Sequence, residues 1–424
     1  MSLLKNTLLL LAAGALAAVR SFFSPPRVAE RNPRTEARGH RVWGASLKTW
    51  AFRIALLIVL FGVLGFLGAA SGIIPIKASS GHWAITSWFL DFSKRRSVKT
   101  HTIGLKTPPL DDSRLVLKGA GHYELGCAPC HGSPKLQTPR VVQAMTPTPP
   151  FLPPRINRWE PADLFYIVKH GIKFTGMPAW PAHQRDDEVW AMVAFLRMLP
   201  TLDAARYRRL VGEGEVEANA GGDPDPLSGL LPPDKTPQAV TKNCARCHGS
   251  DGLGLGTGAF PKLAGQRSEY LVASLEAYAR RARHSGIMEP IMAGLSAEEM
   301  REIADYYANL SKSSTSPPLA GDASSLRALG EEIALLGIPK QRVPACDACH
   351  GRTGASRNPT YPKLAGQYAG YLVLQLELFR DGNRGGTAYE HIMRSVAANL
   401  TPEQMQAVAL YFAAMQPDPN HAVK

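Results

Sequence analysis

All six cysteines of the 424-residue chain fall into one pattern. They stand as Cys127-Ala-Pro-Cys130-His131, Cys244-Ala-Arg-Cys247-His248 and Cys346-Asp-Ala-Cys349-His350, each followed by glycine. Two thiols at i and i+3 share one face of a helix. They can therefore add to the two vinyl groups of a single porphyrin, and the adjacent histidine projects to the iron as its proximal ligand. The same pair of cysteines also serves thiol–disulfide exchange or half of a structural zinc site. Three copies at intervals of 117 and 102 residues consume every cysteine in the chain, and zinc pairing would leave one pair unmatched. Covalent haem attachment is the chemistry that uses all of them.

An internal repeat runs around the last two motifs. Phe260-Pro261-Lys262-Leu263-Ala264-Gly265-Gln266 recurs as Tyr361-Pro362-Lys363-Leu364-Ala365-Gly366-Gln367, and Tyr270 is matched by Tyr371. Leu295-Ser296-Ala297-Glu298-Glu299-Met300 recurs as Leu400-Thr401-Pro402-Glu403-Gln404-Met405. With these motifs the chain resembles the class I cytochrome c family over about residues 112–417, and its last two modules resemble the halves of bacterial tandem di-haem cytochromes c.

The resemblance implies three covalently bound haem c groups, held by thioethers from Cys127, Cys130, Cys244, Cys247, Cys346 and Cys349. A low-spin electron-transfer haem needs a sixth ligand, usually a methionine thioether opposite the histidine. In the repeat, Met288 and Met393 each stand seven residues before the recurring leucine, whereas the counterpart of Met292 is Ala397. The expected axial pairs are thus His248 with Met288 and His350 with Met393. Met292 is read as core. His284 and His391 are rival donors nearby, although His391 has no matching histidine in the other module. In the first module Met177 lies in the Gly/Pro-bounded run 175–180, 46 residues after His131, where the family's distal methionine sits. Met145 and His170 are its alternatives, and Met192 and Met198 read as core. His82, His101, His122 and His183 read as surface or satisfied histidines. Pro261 and Pro362 match the family position whose carbonyl accepts the proximal imidazole N–H. The first module offers only the ambiguous run Met145-Thr146-Pro147-Thr148-Pro149-Pro150.

The elements that must position these groups read as helices. Apolar periodicity marks stretches such as 189–196, alternating strand patterns are scarce, and Ser296 and Thr401 are suited to cap helices with a Glu in the first turn. The aromatics Tyr306-Tyr307 and Tyr411-Phe412 read as core packing. Each module is about 80–95 residues, small for an independent core, and a bound haem supplies apolar interior.

Ahead of the modules, residues 54–76 carry no charge and are long enough to cross a bilayer as a helix. Arg20, Arg27, Arg31, Arg34, Arg38, Arg41, Lys48 and Arg53 precede the span, which by the positive-inside rule puts that side in the cytoplasm. Trp83, Trp88 and Phe89 follow it as interfacial aromatics, and Lys94, Arg95, Arg96 and Lys99 are placed to rest on anionic headgroups or form a solvated loop. The apolar run 8–19 after Lys5 imitates a signal peptide and is read as an interfacial segment or a mis-assigned start. Residues 1–106 carry 15 Lys/Arg against 3 Asp/Glu, but residues 107–424 carry 33 against 32. The net charge of +13 therefore belongs to the N-terminal quarter, and a nucleic-acid-binding function is excluded.

The expected architecture is all-α, three tandem class I cytochrome c domains after one N-terminal transmembrane helix. It runs as a cytoplasmic basic segment (1–53), the span (54–76), a periplasmic juxtamembrane linker (77–111), domain 1 (112–203), a linker (204–233), domain 2 (234–311), a linker (312–324) and domain 3 (325–417). The expected function is single-electron relay on the periplasmic face of a bacterial inner membrane, between redox proteins such as a quinol:cytochrome c reductase, a dehydrogenase or a terminal oxidase. A cytochrome subunit of a larger complex and a haem enzyme with one open iron site, such as a peroxidase, are the alternatives. Closed axial positions on every iron favour relay over catalysis.

Overall fold

The computed structural model describes residues 39–73, 76–212, 236–311, 323–351 and 358–416. The apolar run 8–19, most of the basic cluster and most of both inter-domain linkers lie outside them. Among the described residues every regular element is helical, with three isolated β-bridges besides. The chain divides into two compact units, 1–76 and 77–424.

In the first unit, α1 (Gly39–Ala70) is 32 residues long, and its stretch Thr49–Ala70 is long and apolar enough to cross a membrane. The helix ends at Ala70 rather than Ile76. The Ser71 hydroxyl folds back onto the Gly68 carbonyl at 2.7 Å, and Gly72 takes a left-handed φ of 70°, which glycine adopts without strain.

The second unit begins with α2 (Ala84–His101), an 18-residue helix where a linker was expected. Val98 buries, while Lys99 Nζ (2.6 Å) and the Thr102 hydroxyl (3.1 Å) both bond the buried carboxylate of Asp163. The run's high charge concealed one helical face docked onto the first module.

That module is built from α3 (Ser113–His122), the attachment turn α4 (Ala128–His131), α5 (Pro161–His170), α6 (Asp186–Met198) and α7 (Ala204–Leu210). Asp112 caps α3 through the Arg114 amide at 2.9 Å, and three acidic residues open α6, where the helix dipole favours them. Helix α3 crosses α6 at Gly119, where a β-carbon would run into the Ala191 carbonyl. Around this crossing Tyr123, Met192, Val193, Phe195 and Leu199 are buried. The module does not end at 203. Helix α7 continues it, with Tyr207 fully buried and its hydroxyl donating to Glu124 at 2.6 Å. The expected linker 204–233 included α7, which Tyr207 and Val211 anchor in the core.

The second module comprises α8 (Gln238–Asn243), the attachment turn α9 (Ala245–His248), α10 (Ser268–Ala279), α11 (Met288–Met292) and α12 (Ala297–Ala308). The third repeats it with α13 (Ala323–Leu336), the turn α14 (Asp347–His350), α15 (Ala369–Arg380), α16 (Glu390–Ala398) and α17 (Pro402–Ala414). Ser296 and Thr401 cap α12 and α17 in matching capping boxes, reciprocated by Glu299 and Gln404. Helix α13 crosses α17 at Gly330 against the Ala407 carbonyl, as α3 crosses α6.

Candidate haem centres

The three attachment turns share one construction. Each is a four-residue helix that ends in the histidine, followed by a glycine at φ of +70° (Gly132), +76° (Gly249) or +75° (Gly351). That left-handed residue turns the chain away directly after the imidazole. Each ring is then held from behind. His131 Nδ1 donates to the carbonyl of Pro150 at 2.9 Å, His248 Nδ1 to Pro261 at 3.2 Å, and His350 Nδ1 to Pro362 at 3.0 Å. With the proton on Nδ1, the Nε2 lone pair is left as the metal donor. Burial lowers the pKa of all three imidazoles, partly opposed by these bonds, so they stay neutral as a ligand must. The proline role expected of Pro261 and Pro362 is present. In the first module it falls to Pro150, at the end of the ambiguous run.

Four of the six cysteine thiols are held protonated by burial. Burial pushes Cys127, Cys244 and Cys346 up to about 12 and Cys247 up to about 11. A redox dithiol shows the reverse, one depressed pKa. Among the described residues no cluster of three or more His, Cys, Asp or Glu side chains is arranged to hold a bare metal ion, which removes support from zinc.

One continuous cavity of about 490 Å³ joins the second and third modules. Cys244, Cys247, His248 and Met288 line it from one side, and Cys346, Cys349, His350 and Met393 from the other. Met292, read as core, is fully buried and also reaches the wall. The rival histidines are otherwise engaged or outside. His284 Nδ1 faces Glu289 Oε1 at 3.6 Å, and His391 is exposed.

The polar lining fits a porphyrin dianion. Arg283 and Arg384 are buried side by side, and among the described residues neither meets a carboxylate. Arg283 donates to Tyr371 (3.2 Å) and Gln375 (2.9 Å), and Arg384 to Gln375 (2.8 Å) and Tyr270 (3.0 Å). Burial opposes ionisation of Tyr270, but the Arg384 and Arg283 guanidiniums outweigh it and draw its pKa down. Two buried guanidiniums that meet no carboxylate among the described residues favour a nearby anion, and the propionates of a bound haem would supply one. Sequence reasoning missed both arginines, although Tyr270 and Tyr371 lay in the repeat.

In the first module Met177 is half-buried, its amide bonded to the Thr175 hydroxyl at 3.1 Å. Met145 lies against the same loop, its methyl occupying the space a β-carbon on Gly176 would need. The two expected alternatives are therefore neighbours. His170 instead packs on Tyr166 and His183. A π-turn over Tyr123–Cys127 brings α3 into α4 and directs the Tyr123 hydroxyl to the Gly132 carbonyl at 2.7 Å. In the second module Tyr307, from the closing helix, bonds Gly249 at 2.9 Å. The same brace comes from the opening helix in one module and the closing helix in the other.

Comparison with known proteins agrees with this geometry. Residues 234–311 and 341–416 match the cytochrome c family model, and residues 114–196 match that of cytochrome c oxidase, cbb3-type, subunit III. The thiosulfate dehydrogenase electron acceptor of Thiomonas intermedia is 35% identical over 184 residues, covering 43% of this chain and 82% of that protein. Its namesake in Stutzerimonas stutzeri is 37% identical (40% and 77%), and cytochrome c4 of Thiocapsa roseopersicina 36% identical (40% and 84%). The chain belongs to the cytochrome c family.

Within this cytochrome the first module is locked to the second by a buried charge. Glu188 Oε2 accepts from Trp180 Nε1 (3.2 Å) and the Gly286 amide (2.7 Å), while Oε1 accepts from the Ser285 hydroxyl (2.6 Å) and faces Arg185 at 3.0 Å. Arg185 also donates to the His284 carbonyl at 2.6 Å. Ser285 Oγ in turn accepts from the Met288 amide at 3.1 Å. The cytochrome thus ties the loop that carries Met177 and Trp180 to the loop that carries Met288. No sequence pattern announced this knot, because its partners stand 97 and 98 residues apart.

Proposed function

We propose that this is a membrane-anchored tri-haem cytochrome c that relays single electrons on the periplasmic face of a bacterial inner membrane. The observation that carries the reading is the shared cavity, lined from both sides by an attachment motif, a proline-held histidine and a methionine, with two uncompensated cations between them. Each haem, when bound, supplies a one-electron ferric/ferrous couple. His131 with Met177, His248 with Met288 and His350 with Met393 are the residues that would hold the irons, and such ligation would leave no site for a substrate. The Pro150, Pro261 and Pro362 carbonyls fix ring orientation and raise imidazole basicity. Arg283 and Arg384 would compensate propionate charge, and the apolar walls would keep water from a bound haem, so little would reorganise when its charge changes. The arginine-rich flank of α1 and extracytoplasmic haem attachment in the family agree on the orientation.

Haem-stained denaturing gels and intact mass of the membrane-extracted protein test the count. Three groups that survive acidic acetone are expected, and fewer than three overturn it. Replacing Met177, Met288 and Met393 by leucine, one at a time, should each remove about a third of the methionine-to-ferric-iron charge-transfer band. A silent replacement at Met177 with loss on Met145→Leu reassigns that ligand.

A second reading has its own support. The relatives named as electron acceptors of thiosulfate dehydrogenase and the match of the first module to an oxidase subunit favour a cytochrome subunit that works beside a dehydrogenase or oxidase. Co-purification from gently solubilised membranes separates a free carrier from a subunit.

A further inference from the structure

Helix α2 carries a stripe that nothing in the described structure covers. Ile85, Trp88, Phe89 and Phe92 follow the i, i+3, i+4, i+7 spacing of one helical face, and all four are between 41% and 67% exposed. The same stripe continues through Arg95, paired with Asp91 at 2.6 Å, and Arg96, before Lys99 turns to the first module. Trp88 stacks on Phe92, and the Arg96 guanidinium lies over the Phe92 ring. The helix is not loosely attached. Val98, Lys99 and Thr102 hold its C-terminal end to the first module, and the Ala78 carbonyl just before it accepts from the Thr146 hydroxyl at 2.7 Å.

We propose that this stripe is a second membrane contact, at which α2 lies obliquely in an anionic phospholipid interface and orients the first module against the bilayer. Three features choose a lipid surface. The apolar half is aromatic, with Trp83 and Trp88 suited to the headgroup boundary. One turn on, the same face becomes basic, so Arg95 and Arg96 reach phosphates while the aromatics enter the acyl region. The helix carries four Lys/Arg against one Asp, the pattern of an interfacial helix. Only thirteen residues separate Ala70, the end of the candidate span, from Ala84, the start of α2. The inference rests on the anchoring reading but is separable from it.

The full-length holoprotein is reconstituted in nanodiscs containing phosphatidylglycerol, and single introduced cysteines are alkylated with a water-soluble maleimide. Trp88→Cys and Phe89→Cys should react roughly tenfold more slowly than Ser87→Cys and Ser97→Cys on other faces of α2. Protection should weaken in zwitterionic discs and disappear in detergent. Equal rates at all four positions overturn the proposal while Phe61→Cys in α1 stays protected; a rapidly labelled Phe61→Cys sinks the anchor instead. Protection that persists in detergent, where no bilayer exists, assigns the stripe to a second copy of the chain and overturns the lipid assignment.

Discussion

The two seams that join the three modules use opposite chemistry. Between the second and third, the side-chain amide of Gln367 brackets the backbone of Lys262, accepting from its amide at 3.0 Å and donating to its carbonyl at 2.9 Å. Gln266 does the same to Lys363, at 2.8 and 3.0 Å. The contact is uncharged and self-complementary, because both sides carry the same Pro-Lys-Leu-Ala-Gly-Gln sequence, as in a two-fold interface. Between the first and second modules no sequence is shared, and the seam is charged instead: Arg185 meets Glu188 and Asp187, and Arg246 donates to the Val211 carbonyl at 2.7 Å. A duplicated domain docks by symmetry; an unrelated one needs a dedicated lock.

Breaking the lock should have the largest effect. Glu188→Ala leaves Arg185 with Asp187 (2.7 Å) as its remaining carboxylate and orphans the buried Trp180, Ser285 and Gly286 donors, at about 1–3 kcal/mol each. Hydrogen exchange should rise at 285–287 and in α6 while the glutamine seam stays protected. A uniform rise across all three modules would erase the distinction between the seams.

Acid should also weaken the first module. Loss of hydration against Trp180 holds the pKa of His122 down at about 4, below the ordinary 6.5. The unfolded chain therefore binds the extra proton and the folded one does not, so stability is full above pH 6.5 and declines as pH falls towards 4. The decline amounts to about 3 kcal/mol at most. Urea titrations of the wild type and His122→Phe between pH 7 and 4 check this; parallel curves would refute the assignment.

The smallest effects sharpen the symmetry. Gln266→Ala and Gln367→Ala should each cost about 1–3 kcal/mol by orphaning backbone groups, and by the same amount. Unequal shifts in thermal midpoint would show that the repeat no longer acts as one.

The distinction also explains what was legible in the sequence. Covalent attachment demands invariant local spacing, so all three motifs, and the methionines at a fixed offset from Leu295 and Leu400, could be read directly. Pro261 and Pro362 were legible because each follows its histidine by 13 and 12 residues in a repeated run. Pro150 was not, since it lies 19 residues on among several prolines. Glu188, Arg283 and Arg384 escaped because their partners are distant in sequence, where charge alone reads as solvated surface. Helices α2 and α7 fell within the expected linkers 77–111 and 204–233, since each is held by few buried anchors, Val98 and Tyr207.

The crossed pairing of the buried arginines has a consequence for taking the pair apart. Arg283 of the second module reaches Tyr371 of the third, and Arg384 of the third reaches Tyr270 of the second. Each half thus completes the electrostatic shell of its twin. Cut apart, either would open to water a guanidinium suited to a sheltered counterion, so neither half should keep its electrostatic shell when expressed alone.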